Sequence, residues 1–180
     1  MKSNAEIAIL SLIAESPRHG YEIEQVIEAR GMRDWTEVGF SSIYYLLKKL
    51  EGSGLVEASL EDPSGGGPTR KVYHITQTGQ EVWHAETLRA LSDPQNCYPL
   101  IQLGLANLPG IPRSEVISAL KRYIANLERR RDYVQARREV QLPLPDHVEA
   151  MFDLSLTMIE AELGWINNFI RQLEEKNEKS

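Results

Sequence analysis

The hydrophobic pattern of this chain changes its period after Gly54, and the change restricts the possible folds. Before it, three segments carry apolar residues at helical spacing; after it, residues 55–60 and 71–76 have the pattern of short strands. A loop over residues 61–70, with three consecutive glycines and a basic end, separates the two strands. Three helices followed by a hairpin are the element order of a winged helix-turn-helix domain.

Local signals predict where the first two helices begin and end. Ser3 and Glu6 fit a capping box at the start of the first helix, and Pro17 disfavours helical backbone in the residue before it. The second helix is expected to begin at Gly20 and to end near Gly31.

The third helix carries the most informative side chains. It is expected to begin with a serine cap and to end at Gly52 and Gly54. Its apolar face contains Ile43, Leu46, Leu47 and Leu50. At 100° per residue, the opposite face contains Ser41, Tyr45 and Lys48, flanked by Ser42, Tyr44 and Lys49. Such side chains donate to phosphate oxygens and base edges, although an ordinary amphipathic helix shows the same pattern.

The hairpin adds a second basic element in the expected order. Thr69, Arg70 and Lys71 lie at the exit of the glycine-rich loop, from which their side chains could reach a phosphate row or an adjacent groove. Thr76 or Thr78 is expected to cap a fourth helix that runs through Leu88.

The C-terminal half predicts long helices. A proline-rich junction with a short helix over residues 100–108 precedes helices over residues 113–140 and 146–175. The apolar stripe of the last helix is too wide for one partner helix, so a second subunit is expected. The predicted fold is mainly α with a small β-hairpin wing, divided into a winged helix-turn-helix domain (1–91) and a long-helix dimerisation and effector domain (92–180).

Motifs in the first 91 residues resemble the PadR-like transcriptional regulators. The stretches that carry the resemblance, in order, are Ile9-Leu10-Ser11-Leu12-Ile13, His19-Gly20-Tyr21-Glu22-Ile23, residues 42–51, Gly54-Leu55-Val56, and residues 70–76 with Gly79. The C-terminal segment Ala161-Glu162-Leu163-Gly164-Trp165 is similar to part of the family's dimerisation region.

The resemblance implies a function and its partners. It implies a homodimeric bacterial regulator, expected to be a repressor, whose third helix enters the major groove of a pseudo-palindromic operator while the wing touches the backbone or minor groove. It also implies a small aromatic or hydrophobic effector at the dimer interface. The rival function is a helical protein-interaction module whose winged helix no longer binds DNA, because the net charge is −6 and residues 1–91 are acidic overall.

Five aromatic or histidine residues allow alternative interpretations. His19 and Tyr21, at the start of the second helix, could bind a phosphate, or Tyr21 could pack within the domain; Tyr44 has the same two alternatives. Trp165 and Phe169 could line an effector site, or they could belong to the dimer core.

Several other classes of protein are not expected. A single cysteine, Cys97, allows no internal disulfide, and no apolar run is long enough for a membrane span, so a cytoplasmic protein is expected. No metal site is expected, because no histidines are spaced as ligands and Cys97 has no cysteine partner. The chain contains no catalytic or phosphate-binding motif, so we expect neither an enzyme nor a cofactor.

Overall fold

The computed structural model describes residues 3–36, 38–39, 42–62, 68–94 and 98–175. Its contacts divide the chain into two compact units, residues 1–96 and residues 97–180. Each unit has its own cluster of buried apolar side chains. The predicted fold class is confirmed, because the chain is mainly helical and has one small antiparallel sheet.

The first unit begins with three helices: α1 (Asn4–Glu15), α2 (Gly20–Ala29) and α3 (Ile43–Gly52). The capping box of α1 is confirmed. The backbone N–H of Glu6 donates to Ser3 Oγ at 3.2 Å, and the backbone N–H of Ser3 donates to Glu6 Oε2 at 3.0 Å. These bonds satisfy two amides that would otherwise lack an acceptor at the start of the helix.

Apolar side chains from all three helices meet in one core. Those that are almost completely buried are Ile9, Leu10, Leu12, Ile13, Ile23, Ile27, Ile43, Leu47 and Leu50. Helix α1 contacts both α3 and β3, so it buries a wider face than a single helical stripe. Ile7 has helical spacing with Leu10 and Ile13, but its side chain is only half-buried.

The start of α3 differs from the prediction. Ser42 occupies the N-cap position, but its Oγ donates to the carbonyl oxygen of Gly39 at 2.8 Å and caps no amide of α3. The reason lies in the backbone: Ser42 has φ −90° and ψ −18°, whereas a capping serine normally has extended backbone. Ser42 therefore does not provide the expected serine cap, and Ser41, the other candidate, lies outside the described residues.

The sheet contains one strand that the sequence does not predict. Its strands are β1 (Arg18–His19), β2 (Val56–Glu61) and β3 (Arg70–Ile75), all antiparallel, in the order β1-β3-β2. Strand β1 pairs His19 with Val72 of β3. It has only two residues, which is too short to show an alternating pattern. The pairing holds the start of α2 against the wing.

Helix α4 (Gln77–Ser92) begins with a close approach of two backbone segments. Thr76 is the N-cap, because its Oγ1 accepts the backbone N–H of Gly79 at 3.0 Å. A Cβ atom at Gly79 would lie 2.0 Å from the carbonyl oxygen of Leu55. Only glycine therefore allows the first turn of α4 to lie this close to the start of β2.

The second unit consists of helices. It contains α5 (Leu100–Ala106), a 3₁₀ turn (Leu108–Gly110), α6 (Arg113–Val140) and α7 (Asp146–Glu175). The predicted bounds of the two long helices are confirmed. Among the helices within the described ranges, none combines the length and the apolarity needed to cross a membrane.

Helices α6 and α7 pack antiparallel over most of their length. Lys121 forms an ion pair with Glu174 near one end, and Arg138 forms one with Glu149 near the other. The side chains buried between the helices are Val116, Leu120, Leu127, Ile159, Leu163, Ile166 and Ile170. Tyr123 adds a polar contact, because its hydroxyl donates to Glu162 Oε1 at 2.7 Å, and this bond raises the pKa of Tyr123 to about 12.

Candidate nucleic-acid interface

The outer face of α3, formed by Tyr44, Tyr45 and Lys48, is open to solvent. Tyr44 and Tyr45 are 61% and 67% exposed, and Lys48 is also exposed. Ile43 and Leu47 fix this orientation, because they are buried on the opposite side of the same helix. Within the described part of the chain, Lys48 forms no ion pair. Two phenols and a free ammonium group thus extend from one rigid helix without supporting the core.

Lys49, which the sequence places beside this face, has an internal partner. Its Nζ lies 3.0 Å from Glu6 Oε2, and Glu6 is only 2% exposed. A buried carboxylate requires a counter-charge, because desolvation penalises its ionised form. Lys49 therefore ties α3 to the capping box of α1, in addition to any role on the surface.

A shallow cavity of about 380 Å³ lies between the start of α2, α3 and the wing. We call it the wing groove; its lining residues are His19, Gly20, Tyr21, Tyr44, Arg70, Lys71 and Tyr73. Five of these seven residues are predicted site residues from three separate segments of the sequence. The cavity is continuous with the outer face of α3, because Tyr44 belongs to both.

Gly20 and two tyrosines, Tyr44 and Tyr21, give the wing groove its shape. The ring of Tyr44 lies so close to Gly20 that a Cβ atom there would be 2.6 Å from Tyr44 Cε1. Tyr21 is exposed, so the alternative in which it packs inside the domain is wrong. Its ring stacks on His19 instead, with ring centroids 6.4 Å apart and an interplanar angle of 8°.

His19 connects the start of α2 with the wing. Its Nδ1 accepts the backbone N–H of Glu22 at 3.1 Å, so His19 is the N-cap of α2. Its Nε2 lies 3.1 Å from Nη1 of Arg70. Arg70 is exposed and, among the described residues, has no carboxylate partner. Its guanidinium group remains available to an anion.

The other two wing residues are engaged with acidic side chains. Lys71 Nζ donates to Glu51 Oε2 at 2.8 Å, which raises the pKa of Lys71, and it also lies 5.3 Å from the ring centroid of Tyr73. Thr69 Oγ1 donates to Asp62 Oδ1 at 2.6 Å, across the base of the hairpin loop. Both side chains must exchange these contacts before they can bind a ligand, whereas Arg70 need not.

The sequence prediction missed three residues of this surface. Its patterns identify Gly20 only as a helix start and do not mark Glu51 or Tyr73 as site residues. A signal for Tyr73 was present, because alternate residues of a strand share a face and Lys71 lies two positions earlier. No sequence signal identified Glu51, which is 20 residues from its partner Lys71.

The predicted effector residues lie in the second unit. Trp165 and Phe169 stack on α7, with ring centroids 5.2 Å apart and an interplanar angle of 19°. Trp165 is 48% exposed and Phe169 is half-buried.

Within the described ranges, no group of three or more acidic, histidine or cysteine side chains is arranged to hold a metal ion. Cys97 lies outside those ranges.

The chain resembles several solved structures over nearly its full length. Bacillus subtilis PadR in complex with operator DNA has a TM-score of 0.75 at 18% identity, with 93% of this chain and 98% of that chain covered. The same protein in complex with p-coumaric acid has a TM-score of 0.78 at 17% identity, with 94% and 98% covered. A PadR-like transcriptional regulator from Bacillus cereus has a TM-score of 0.68 at 18% identity, with 96% and 99% covered. These likenesses establish the fold.

Sequence comparison adds the family. A protein of Lysinibacillus sphaericus described as "Uncharacterized protein X" is 30% identical over 105 residues, which are 58% of this chain and 94% of that protein. The model of the transcriptional regulator PadR-like family matches residues 9–85, which include the outer face of α3 and the whole wing groove. Residues 9–85 of the chain therefore belong to the PadR-like family of transcriptional regulators.

Proposed function

We propose that this protein is a sequence-specific regulator of transcription that binds double-stranded DNA. The observation that carries the proposal is that the outer face of α3 and the wing groove form one surface, joined by Tyr44. An α-helix fits the major groove of B-DNA, and phosphate contacts beside it fix its register. The operator complex of the B. subtilis PadR, which has the same fold, supports this proposal.

The surface divides into residues that read bases and residues that hold the backbone. Tyr45 and Lys48 contact base edges, because they extend from the middle of the exposed helix face. Arg70 binds a backbone phosphate, and Lys71 and Thr69 join it once they leave their acidic partners. Ser41, Ser42 and Lys49 border the helix face, and Tyr21 borders the wing groove.

We propose that the protein acts as a homodimer through α7. Leu154, Met158 and Trp165 are exposed and lie on one face of this helix, away from the face that packs on α6. An exposed apolar stripe of this kind is typical of an interaction site. A second copy with two-fold symmetry would cover the stripe and present two recognition helices to a pseudo-palindromic operator.

We propose further that the dimer is a repressor released by a small aromatic or hydrophobic effector. The complex of the B. subtilis PadR with p-coumaric acid supports a ligand of this class. Trp165 and Phe169 provide stacked rings for it, and the same rings would otherwise belong to the dimer core. Tryptophan fluorescence of the parent and of Trp165→Leu, titrated with p-coumaric acid and a panel of small aromatic compounds, separates the two roles. Quenching that is equal in both proteins excludes Trp165 from the site.

A salt series on the full-length chain tests DNA binding itself. Electrophoretic mobility shifts with the region upstream of its own gene should show a complex whose association constant falls steeply as salt rises, because phosphate contacts release counterions. Lys121→Ala, in the second unit, removes one positive charge outside the proposed surface. It serves as the charge-matched control, and its association constant should depend on salt as that of the parent does. The rival function, a protein-interaction module without DNA binding, predicts no complex even at low salt.

A further inference from the structure

We propose that His19 and Arg70 together hold one backbone phosphate of bound DNA, with His19 acting as a neutral Nε2–H donor. The inference rests on the proposed function and adds to it a phosphate site, with its donors and the protonation state of the imidazole. It follows from the two different contacts that the imidazole of His19 makes.

The cap of α2 decides which ring nitrogen of His19 carries the proton. The backbone N–H of Glu22 donates to Nδ1 at 3.1 Å, so Nδ1 has no proton of its own. A neutral imidazole has one N–H group, which must therefore be at Nε2. A ring with a proton on Nδ1 would have a donor there and could not accept this bond, so the capped ring is the Nε2–H tautomer.

This assignment places two donors against each other in the wing groove. The Nε2–H of His19 and the Nη1 of Arg70 are 3.1 Å apart, and neither nitrogen can accept from the other. The nearest carboxylate to Nε2 is that of Glu22, whose Oε2 is 4.0 Å away and beyond hydrogen-bond distance. The other oxygen of Glu22 is 3.4 Å from Arg18 Nη1. The two donors therefore lack an acceptor within the described residues.

An oxyanion satisfies both donors at once. One phosphate oxygen between the imidazole N–H and the guanidinium would accept two hydrogen bonds, one of them charge-assisted. The N-terminus of the ten-residue helix α2 lies beside the same point and favours negative charge. The groove is open and shares Tyr44 with the outer face of α3, so a DNA backbone that passes α3 comes within its reach.

The tautomer can be measured in the free protein. Long-range ¹H–¹⁵N correlation spectra distinguish Nδ1–H from Nε2–H imidazoles, and the His19 signals are assigned by their loss in His19→Asn. We expect the Nε2–H tautomer in the free protein and a shift of the Nε2–H signal when duplex DNA is added. The Nδ1–H tautomer would overturn the proposal, because Arg70 could then donate to Nε2 and no ligand would be needed. An equal shift with the same concentration of inorganic phosphate would overturn the assignment to DNA.

Two variants separate the cap from the phosphate contact. Asparagine at position 19 can cap α2 through Oδ1 but cannot reach the position of Nε2, whereas glutamine can approach that position but caps poorly. His19→Asn should therefore unfold at the parental temperature and bind DNA about tenfold more weakly. His19→Gln should melt lower yet bind DNA more tightly than His19→Asn. Equal DNA affinities of His19→Asn and the parent would overturn the proposal.

The salt dependence of DNA affinity distinguishes the role of His19 from that of Arg70. A neutral donor releases no counterion, so His19→Asn should keep the parental slope of log association constant against log salt, whereas Arg70→Ala should flatten it by about 0.9 per contact. A slope in His19→Asn that falls as in Arg70→Ala would overturn the neutral-donor assignment. If the parent itself binds no DNA, the proposed function fails, a result distinct from each of these outcomes.

Discussion

The phenol ring of Tyr44 lies against Gly20, in a position that no larger residue at position 20 would allow. A Cβ atom there would be 2.6 Å from Cε1 of the ring and 3.2 Å from Cζ. The absence of a side chain at the start of α2 thus fixes the orientation of a residue on α3. Because Tyr44 borders both the outer face of α3 and the wing groove, the shape of the whole surface depends on this contact.

Gly20→Ala should change DNA binding without unfolding the protein. The alanine displaces the exposed Tyr44 ring, and the helical position gains up to about 1 kcal/mol in helix propensity. We expect an unchanged or slightly higher melting temperature and a several-fold loss of affinity for DNA. Combination with Tyr44→Ala provides the control, because the alanine at position 20 then has no ring to displace and should cost no further affinity. If Gly20→Ala lowers the affinity for DNA as much in the Tyr44→Ala background as in the parent, this explanation is wrong.

Gly79→Ala should destabilise the first unit strongly. The new methyl group would lie 2.0 Å from the carbonyl oxygen of Leu55, which is backbone and cannot rotate away. The cost of such overpacking is about 2–3 kcal/mol, measured by urea unfolding. Gly52→Ala is the matched control, because a Cβ atom at this helical position meets nothing within 4 Å. Similar unfolding free energies for the two variants would show that α4 can move away from Leu55.

Lys49→Ala should destabilise the protein, whereas Lys48→Ala should leave its stability nearly unchanged. Loss of Lys49 removes its ion pair with the buried Glu6 and should lower the free energy of unfolding by about 1–2 kcal/mol, a value reduced by the partial exposure of the pair. Loss of Lys48 should change stability by less than about 0.5 kcal/mol. The melting temperatures of the two variants compare the contributions of two neighbouring lysines on one helix. Equal melting temperatures would contradict the structural role of Lys49.

The sequence predicts helices and exposed faces well but does not predict the pairings between segments. Helical periodicity is a local property, so it correctly located α6 and α7 and the exposed side of α3. Partners far apart in the sequence leave no such signal: Lys49 and Glu6 are 43 positions apart, and Arg70 and His19 are 51 apart. For the same reason the sequence could not indicate that α2, α3 and β3 contribute to one groove.

Short elements and backbone geometry were the other source of error. The strand at Arg18–His19 depends on its pairing with β3 and not on any pattern of its own. Ser42 does not cap α3, because its residue type permits a cap while its backbone dihedral angles do not.

The ion pair between Glu15 and Arg30 should make a pH-dependent contribution to stability. The hydrogen bond from Arg30 is the main cause that lowers the pKa of Glu15 below the ordinary value of a glutamate carboxyl group. A lowered pKa means that the stabilisation is present above the unfolded-state pKa and is lost as the pH falls through the folded-state pKa. Glu15→Gln should therefore reduce the free energy of unfolding by less than about 1 kcal/mol near pH 7, because the pair is partly exposed. Urea unfolding should show this difference shrinking below about pH 4.5, and a difference that grows instead would contradict the assigned sign.

DNA affinities of variants at Tyr45 and Lys48 measure whether these two residues read DNA sequence. Fluorescence anisotropy gives the affinities of the parent, Tyr45→Ala and Lys48→Ala for a duplex selected by the parent from a random library and for a scrambled duplex of equal length. We predict that each substitution costs about 1–3 kcal/mol on the selected duplex and less on the scrambled one, while Lys121→Ala leaves the ratio of the two affinities unchanged. If both α3 variants fold normally and keep the parental ratio, the outer face of α3 is not the recognition surface.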